Sequence, residues 1–131
     1  MFLNNLTDRD KEHFVELAYK LAYSNREYPE VQRSLLGRYK KECGVSVIPN
    51  TATREELMAH FGEQSEEIRR IVYYEIFMLL ISDEKIDADE AFVLGELKSA
   101  FGISEEEAVK IQDQGLLLKK AEQDLMALLG I

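Results

Sequence analysis

The segment SEEIRRIVYYEIFMLLI, residues 65–81, decides the fold of this chain. Ser65 is a typical N-cap residue, and apolar side chains follow it on nearly every side of the predicted helix. Glu75 is the one charged residue in the second half of the segment. A helix that is apolar all round is typical of the centre of a bundle. We therefore predict a central helix from Ser65 to about Ile81, with other helices packed around it.

Helix signals are dense on both sides of this segment. A capping residue followed three positions later by an acid, which is the pattern of a capping box, occurs at Thr7–Asp10, Thr53–Glu56, Asp87–Glu90 and Ser104–Glu107. Pro29 favours the start of a further helix, and Gly44, Gly62 and Gly102 are typical helix stops. A last helix is expected over residues 116–131. The sequence therefore predicts an all-α fold, a compact bundle of about seven helices.

The sequence also matches itself when it is shifted by 58 residues, with Gly37 on Gly95, Gly44 on Gly102 and Ser46 on Ser104. The apolar positions stay in register, which favours two pseudo-symmetric helical hairpins of common origin. We predict one domain over residues 1–131 with four parts: hairpin repeats at about 5–46 and 65–104, a bridging helix at about 53–62 and C-terminal helices at about 104–130.

Composition restricts the class of partner. Acidic residues number 25 against 16 Lys and Arg, and the formal net charge is −9. Such a chain repels nucleic-acid phosphates and favours a protein partner with a basic surface, or a cation. The chain has a single cysteine and so cannot form an internal disulfide. The absence of disulfides is typical of proteins of the reducing cytoplasm. The longest apolar run is far shorter than the roughly 20 residues of a membrane span. We predict a cytoplasmic protein that has no direct membrane span and binds no nucleic acid.

The loop 82–90 is the segment that could carry chemistry. It holds five carboxylates within eight residues, namely Asp83, Glu84, Asp87, Asp89 and Glu90. Clustered carboxylates suit hard divalent cations, which take several oxygen ligands at once. We predict Asp83, Asp87, Asp89 and Glu90 as metal ligands, and Glu84 as a contact to a basic partner.

The spacing of the loop excludes one specialised cation loop, and its acids also have a structural interpretation. An EF-hand is excluded, since a loop that begins at Asp83 has Lys85 at its third position and Ala88 where glycine is required. The alternative interpretation is structural. Asp87 is then the N-cap of the next helix, and Glu90 lies in the first turn, where negative charge complements the helix dipole.

A few other residues could have special roles. Glu75 is favoured to lie on a solvated stripe of its helix. The alternative is a place beside a basic side chain or at a partner surface, so Glu75 is a second candidate partner-binding residue. His13 and His60 are far apart in sequence and are expected to be surface or cap residues. Cys43 is expected to be a small packing residue. Since no nucleophile and base are paired in a known catalytic motif, we predict that the protein is not an enzyme.

The second hairpin, from Glu75 to Ser104, resembles the TerB-like domain of tellurite-resistance proteins. The similarity rests on the loop 83–90 and on the apolar positions and glycine that follow it, Phe92, Leu94, Leu97 and Gly102, and it extends over roughly residues 5–115. By position, Asp83 and Glu90 match the family's aspartate and glutamate, and Glu84 replaces its glycine. In the first hairpin the three positions hold Asn25, Arg26 and Gln32, so at most one acidic site is kept.

The resemblance implies an all-helical cytoplasmic module without catalysis, with relatives linked to stress resistance, divalent-cation binding and membrane-associated partners. We therefore predict a non-catalytic acidic module that acts in protein interaction or stress response. The alternative is a divalent-cation-binding or cation-responsive module that uses the loop 83–90. The oligomeric state is left open.

Overall fold

The computed structural model describes residues 1–23, 30–81 and 86–131. Over these residues the chain forms a short 3-10 helix, Leu3–Asn5, and six α-helices: α1 Asp8–Tyr23, α2 Glu30–Cys43, α3 Arg54–Gly62, α4 Glu66–Leu80, α5 Ala88–Phe101 and α6 Glu105–Leu129. No strand occurs in the described ranges. The predicted all-α fold is confirmed. None of the helices in these ranges combines the length and the apolar composition needed to cross a membrane.

The predicted caps explain where the helices begin. Before α3, the Thr53 hydroxyl accepts a hydrogen bond from the Glu56 N–H while the Glu56 carboxylate accepts one from the Thr53 N–H. The Ser65 and Ser104 hydroxyls likewise accept hydrogen bonds from the N–H groups three residues on, at the starts of α4 and α6. The Glu107 carboxylate of the predicted Ser104–Glu107 box accepts from Arg70 instead. Each cap satisfies an N–H that the first turn of a helix leaves without an intrahelical partner.

Helix α4 lies at the centre of the bundle, as its apolar sequence predicts. It packs against all five other α-helices. Tyr73, Ile76, Phe77 and Leu80 of α4 are fully buried, in the same core as Phe14 of α1. Burial of each such large side chain contributes about 1.5–3 kcal/mol to stability. Packing, rather than helix propensity, therefore fixes the position of α4.

The described ranges hold six α-helices instead of about seven, because α6 continues through Gly115, next to the point where a new helix is predicted to begin. A Cβ atom at Gly115 would lie 3.1 Å from the Met78 sulfur and 3.2 Å from a ring carbon of Tyr74. The missing side chain therefore lets α6 lie close against α4, and this packing offsets the cost of glycine inside a helix. The predicted boundary before Leu116 is wrong for this reason.

The two predicted hairpins have matching ends. Gly44 and Gly102 both adopt positive φ, 68° and 62°, just beyond α2 and α5. After α2 the Val45 N–H donates to the Lys40 carbonyl, and after α5 the Ile103 N–H donates to the carbonyl of the matched lysine, Lys98. Gln32 and Glu90, which the same shift of 58 residues pairs, are both buried, at 1% and 2% exposed. Common origin of the hairpins stays a prediction.

By contrast, Gly37 and Gly95 lie inside α2 and α5, where a Cβ atom would meet nothing within 4 Å.

Candidate functional site

The acidic loop is only partly within the described residues. Asp83 and Glu84 lie outside them. The Asp87 carboxylate accepts a hydrogen bond of 2.8 Å from the Glu90 N–H, and the Glu90 carboxylate accepts one of 3.3 Å from the Asp87 N–H. Glu90 is buried, whereas Asp87 and Asp89 are exposed. These bonds form the capping box of the structural interpretation, and the predicted metal role of the loop stays a prediction.

Glu75 is buried, at 3% exposed, so its predicted place on a solvated stripe is wrong. Its carboxylate accepts hydrogen bonds from the Met1 ammonium at 2.9 Å and from the Phe2 N–H at 3.4 Å. The Met1 ammonium also donates to Glu42 at 3.0 Å. Burial raises the pKa of Glu75, and the ammonium offsets only part of that shift. The cation bound to Glu75 is the Met1 ammonium, a backbone group, rather than the basic side chain of the alternative interpretation. The partner-binding role of Glu75 stays a prediction.

A second buried carboxylate, Glu16 of α1, has no counterpart among the predicted site residues. It accepts hydrogen bonds from the Ala52 N–H at 2.9 Å, the Thr51 hydroxyl at 2.8 Å, the Thr51 N–H at 3.1 Å and the Lys20 ammonium at 3.1 Å. Burial opposes ionisation, but these four donors together lower the pKa of Glu16. Glu16 therefore ties the loop before α3 to α1. Three of its four donors come from residues 35 or 36 positions away, so no local pattern marks it.

The two histidines, predicted to be separate surface or cap residues, lie together in the structure. The ring centroids of His13 and His60 are 4.7 Å apart, and the His60 Nε2 atom is 2.8 Å from a carboxylate oxygen of Asp10. Packing of α1 against α3 brings them together. A sequence signal did exist for half of this group, since Asp10 and His13 are three residues apart and face the same side of α1.

Cys43 is half-buried, and this burial, with the nearby Glu42 carboxylate, raises the pKa of its thiol to about 11. A thiol with this pKa is protonated at neutral pH and is a poor nucleophile. This agrees with the interpretation of Cys43 as a packing residue.

Helix α6 divides into a packed half and an exposed half. In the first half Ala108 and Gly115 are buried, and the Gln112 amide donates a hydrogen bond of 2.7 Å to the Tyr73 hydroxyl of α4. Beyond Lys119, which donates to the Ile81 carbonyl at 3.0 Å, every side chain to residue 131 is exposed. The exposed half nevertheless carries many apolar residues.

We define the α6 face as the apolar side of this exposed half together with Leu117 and Leu118, which lie just before Lys119. Its members fall within about one third of the helix circumference at 100° per residue: Leu117, Leu118, Ala121, Leu125, Leu128 and Leu129. Leu125 is 54% exposed, Leu128 86% and Leu129 63%.

The base of the α6 face adjoins two grooves. One, of about 640 Å³, is mainly apolar and lies between α4 and α6, lined by Phe2, Ile71, Tyr74, Ile111, Gly115 and Leu118. The other, of about 380 Å³, includes Glu75, Glu42, Arg38, Leu118 and Met126. Leu118 lines both grooves and belongs to the α6 face, so the apolar groove between α4 and α6 meets the exposed helix at this residue.

Comparison of the chain with family models, with curated proteins and with solved structures finds no match. The resemblance to the TerB-like domain accordingly stays a prediction.

Proposed function

We propose that the protein is a non-catalytic interaction module that binds an amphipathic helix of a partner protein on the α6 face. The observation that carries this proposal is the exposure of a regular apolar stripe at the end of α6. Large contiguous apolar patches are rare on the surfaces of monomeric proteins and typically mark interaction sites. A helix whose apolar side has no cover in the chain itself is suited to a partner helix.

The exposed half of α6 is reflected in the total surface area. The chain exposes 7,867 Å², whereas a compact folded monomer of 15.1 kDa is expected to expose about 7,100 Å². A helix that projects from a bundle raises this area, in agreement with an uncovered α6 face.

Charge favours a basic partner over a second copy of the chain. The exposed half of α6 is itself balanced, with Lys119 and Lys120 against Glu122 and Asp124, so the preference rests on the net charge of −9 of the whole chain. Two copies would bring like charges together, whereas basic residues flanking the apolar stripe of a partner helix would meet charges of opposite sign. This is the protein partner with a basic surface that the composition predicts.

The proposal is tested with two synthetic amphipathic peptides, one of Leu and Lys and one of Leu and Glu, titrated by fluorescence anisotropy. We expect the Leu/Lys peptide to bind, with weaker binding at higher salt, and the Leu/Glu peptide to bind at least about tenfold more weakly. The variant Leu125→Glu/Leu128→Glu should lose binding of the Leu/Lys peptide without a change in thermal unfolding, since both residues are exposed.

The matched control is Leu116→Glu/Ala127→Glu, which adds two charges to the same helix on the opposite side. Leu116 and Ala127 are exposed but lie outside the α6 face. Equal loss of binding in both variants would mean that the added charge, and not the apolar face, decides binding. A dimer in sedimentation that only Leu125→Glu/Leu128→Glu dissociates would mean that the α6 face binds a second copy of the chain and not a partner helix.

The stress-response role and the cation-responsive role of loop 83–90 remain alternatives that rest on the sequence. Of the residues in that loop, Asp87 and Glu90 form the hydrogen bonds that cap α5.

A further inference from the structure

Asp10, His13 and His60 form a compact cluster between α1 and α3, away from the α6 face. Each offers one ligand atom, and these atoms all lie within 4.8 Å of one another. Among the described residues this is the one group of three such side chains close enough to share an ion. We propose that the cluster binds a divalent transition-metal ion of the Zn²⁺ type.

The backbone of two helices positions the ligands. Asp10 and His13 are three residues apart on α1, so their side chains leave the same side of the helix. His60 lies in the last turn of α3, which packs against α1. Its ring stands edge-to-face on Phe61, with centroids 5.3 Å apart, and Phe61 is fully buried. The His60 imidazole therefore packs against the hydrophobic core.

Burial and charge favour a cation at this point. The Asp10 carboxylate is buried, at 7% exposed, and faces two imidazole rings. A buried carboxylate needs a compensating positive charge, and a divalent ion between the three groups supplies one. Both histidines are partly exposed, so an ion can reach the cluster from solvent.

The ligand types select the class of metal. Two imidazoles and a carboxylate suit Zn²⁺ and its neighbours among the transition metals, whereas Ca²⁺ and Mg²⁺ prefer all-oxygen sites. Zn²⁺ bonds of about 2.0–2.2 Å in a tetrahedron place ligand atoms about 3.3 Å apart. The Asp10–His60 pair is already at 2.8 Å. The Asp10–His60 pair would open by about 0.5 Å and the widest pair would close by at most about 1.5 Å, and side-chain rotation can supply both changes.

Binding would replace the hydrogen bond between Asp10 and His60, with release of any proton held between them, because both imidazoles ligate as neutral rings. Acidification should therefore weaken the complex. Three protein ligands leave the fourth tetrahedral position to water. The competing interpretation is that Asp10 and His60 form only a structural ion pair, with His13 as a neighbour.

Titration calorimetry with ZnSO₄ alone tests the proposal, with MgCl₂ and CaCl₂ as comparison salts. We expect Zn²⁺ to bind the wild-type chain and raise its unfolding temperature, while the other two ions do neither. His13→Gln is the decisive variant, because it removes one ligand and keeps the Asp10–His60 contact. Its dissociation constant for Zn²⁺ should rise by at least about tenfold.

Three control variants should keep wild-type Zn²⁺ affinity: Glu12→Gln at an exposed neighbour of the cluster, Cys43→Ser at the single cysteine, and Asp89→Asn in the acidic loop. Nuclear magnetic resonance of ¹⁵N-labelled histidine gives an independent readout that does not depend on variant folding, since both imidazoles should shift on addition of Zn²⁺. Unchanged affinity in His13→Gln, affinity lost in Asp89→Asn, or histidine signals unmoved by millimolar Zn²⁺ would each overturn the proposal.

Discussion

Glu16 and Glu75 are both buried carboxylates in the middle of helices, yet their pKa values shift in opposite directions. Glu16 is 0% exposed and Glu75 is 3% exposed. Burial opposes ionisation at both, but four donors lower the pKa of Glu16, whereas at Glu75 burial prevails and raises the pKa. The comparison teaches that the number and placement of donors, rather than depth, decide whether a buried carboxylate supports the fold in its charged form.

The largest difference is expected from neutralising Glu16. Glu16→Gln replaces a carboxylate oxygen with an amide that cannot accept from all of the Thr51, Ala52 and Lys20 donors. We expect the free energy of unfolding to fall by about 3 kcal/mol, measured by urea denaturation. The control is Glu12→Gln at an exposed site of the same helix, which should change it by less than about 0.5 kcal/mol. An equal effect in both variants would show that Glu16 does not tie the loop before α3 to α1.

A smaller effect is expected from the same change at Glu75. Glu75→Gln removes a charge that burial disfavours, and the Met1 ammonium keeps its contact with Glu42. We expect the free energy of unfolding to change by less than about 1 kcal/mol, again by urea denaturation. A loss as large as that in Glu16→Gln would show that the two carboxylates support the fold equally, and the comparison would fail.

The smallest effect is the pH dependence of the two stability differences, wild type against Glu16→Gln and wild type against Glu75→Gln. The two differences should change with pH in opposite directions. The folded pKa of Glu16 is lowered, so its contribution is full above the unfolded value near pH 4.3 and is lost as the pH falls through the folded pKa. The stability gap between wild type and Glu16→Gln should therefore shrink on acidification.

For Glu75 the folded pKa is raised, so the neutral form stabilises the fold. That contribution is full below the unfolded pKa and is lost as the pH rises through the folded value. Wild type should gain stability relative to Glu75→Gln on acidification, opposite to the trend at Glu16. Denaturation of the three proteins between about pH 3 and pH 7 measures both trends. Parallel trends would contradict the opposed pKa shifts.

The two carboxylates also show what sequence reasoning can reach. Helix starts at Thr53, Ser65, Asp87 and Ser104 were predictable because a cap and its N–H partner are three residues apart. The central place of α4 was predictable because its apolar residues surround the helix. In each case the cause lies within one or two turns of chain.

The features that the sequence did not predict depend on contacts between segments that are distant in the chain. Three of the Glu16 donors come from the loop before α3, the Glu75 partners come from the start of the chain, and His60 meets His13 across a helix pair. The continuity of α6 through Gly115 depends on Met78 and Tyr74 of another helix. A composition pattern cannot supply these pairings, because they follow from packing.

The predicted common origin of the hairpins offers an account of Gly37 and Gly95. A glycine inside a helix costs about 1 kcal/mol relative to alanine, and neither of these glycines has a positive φ or a neighbour that a methyl group would meet. Nothing in either helix requires them, yet both occur at the same step of their hairpins. Duplication of one ancestral hairpin would explain the coincidence, and the two positions would then be inherited imperfections that later selection had no need to remove.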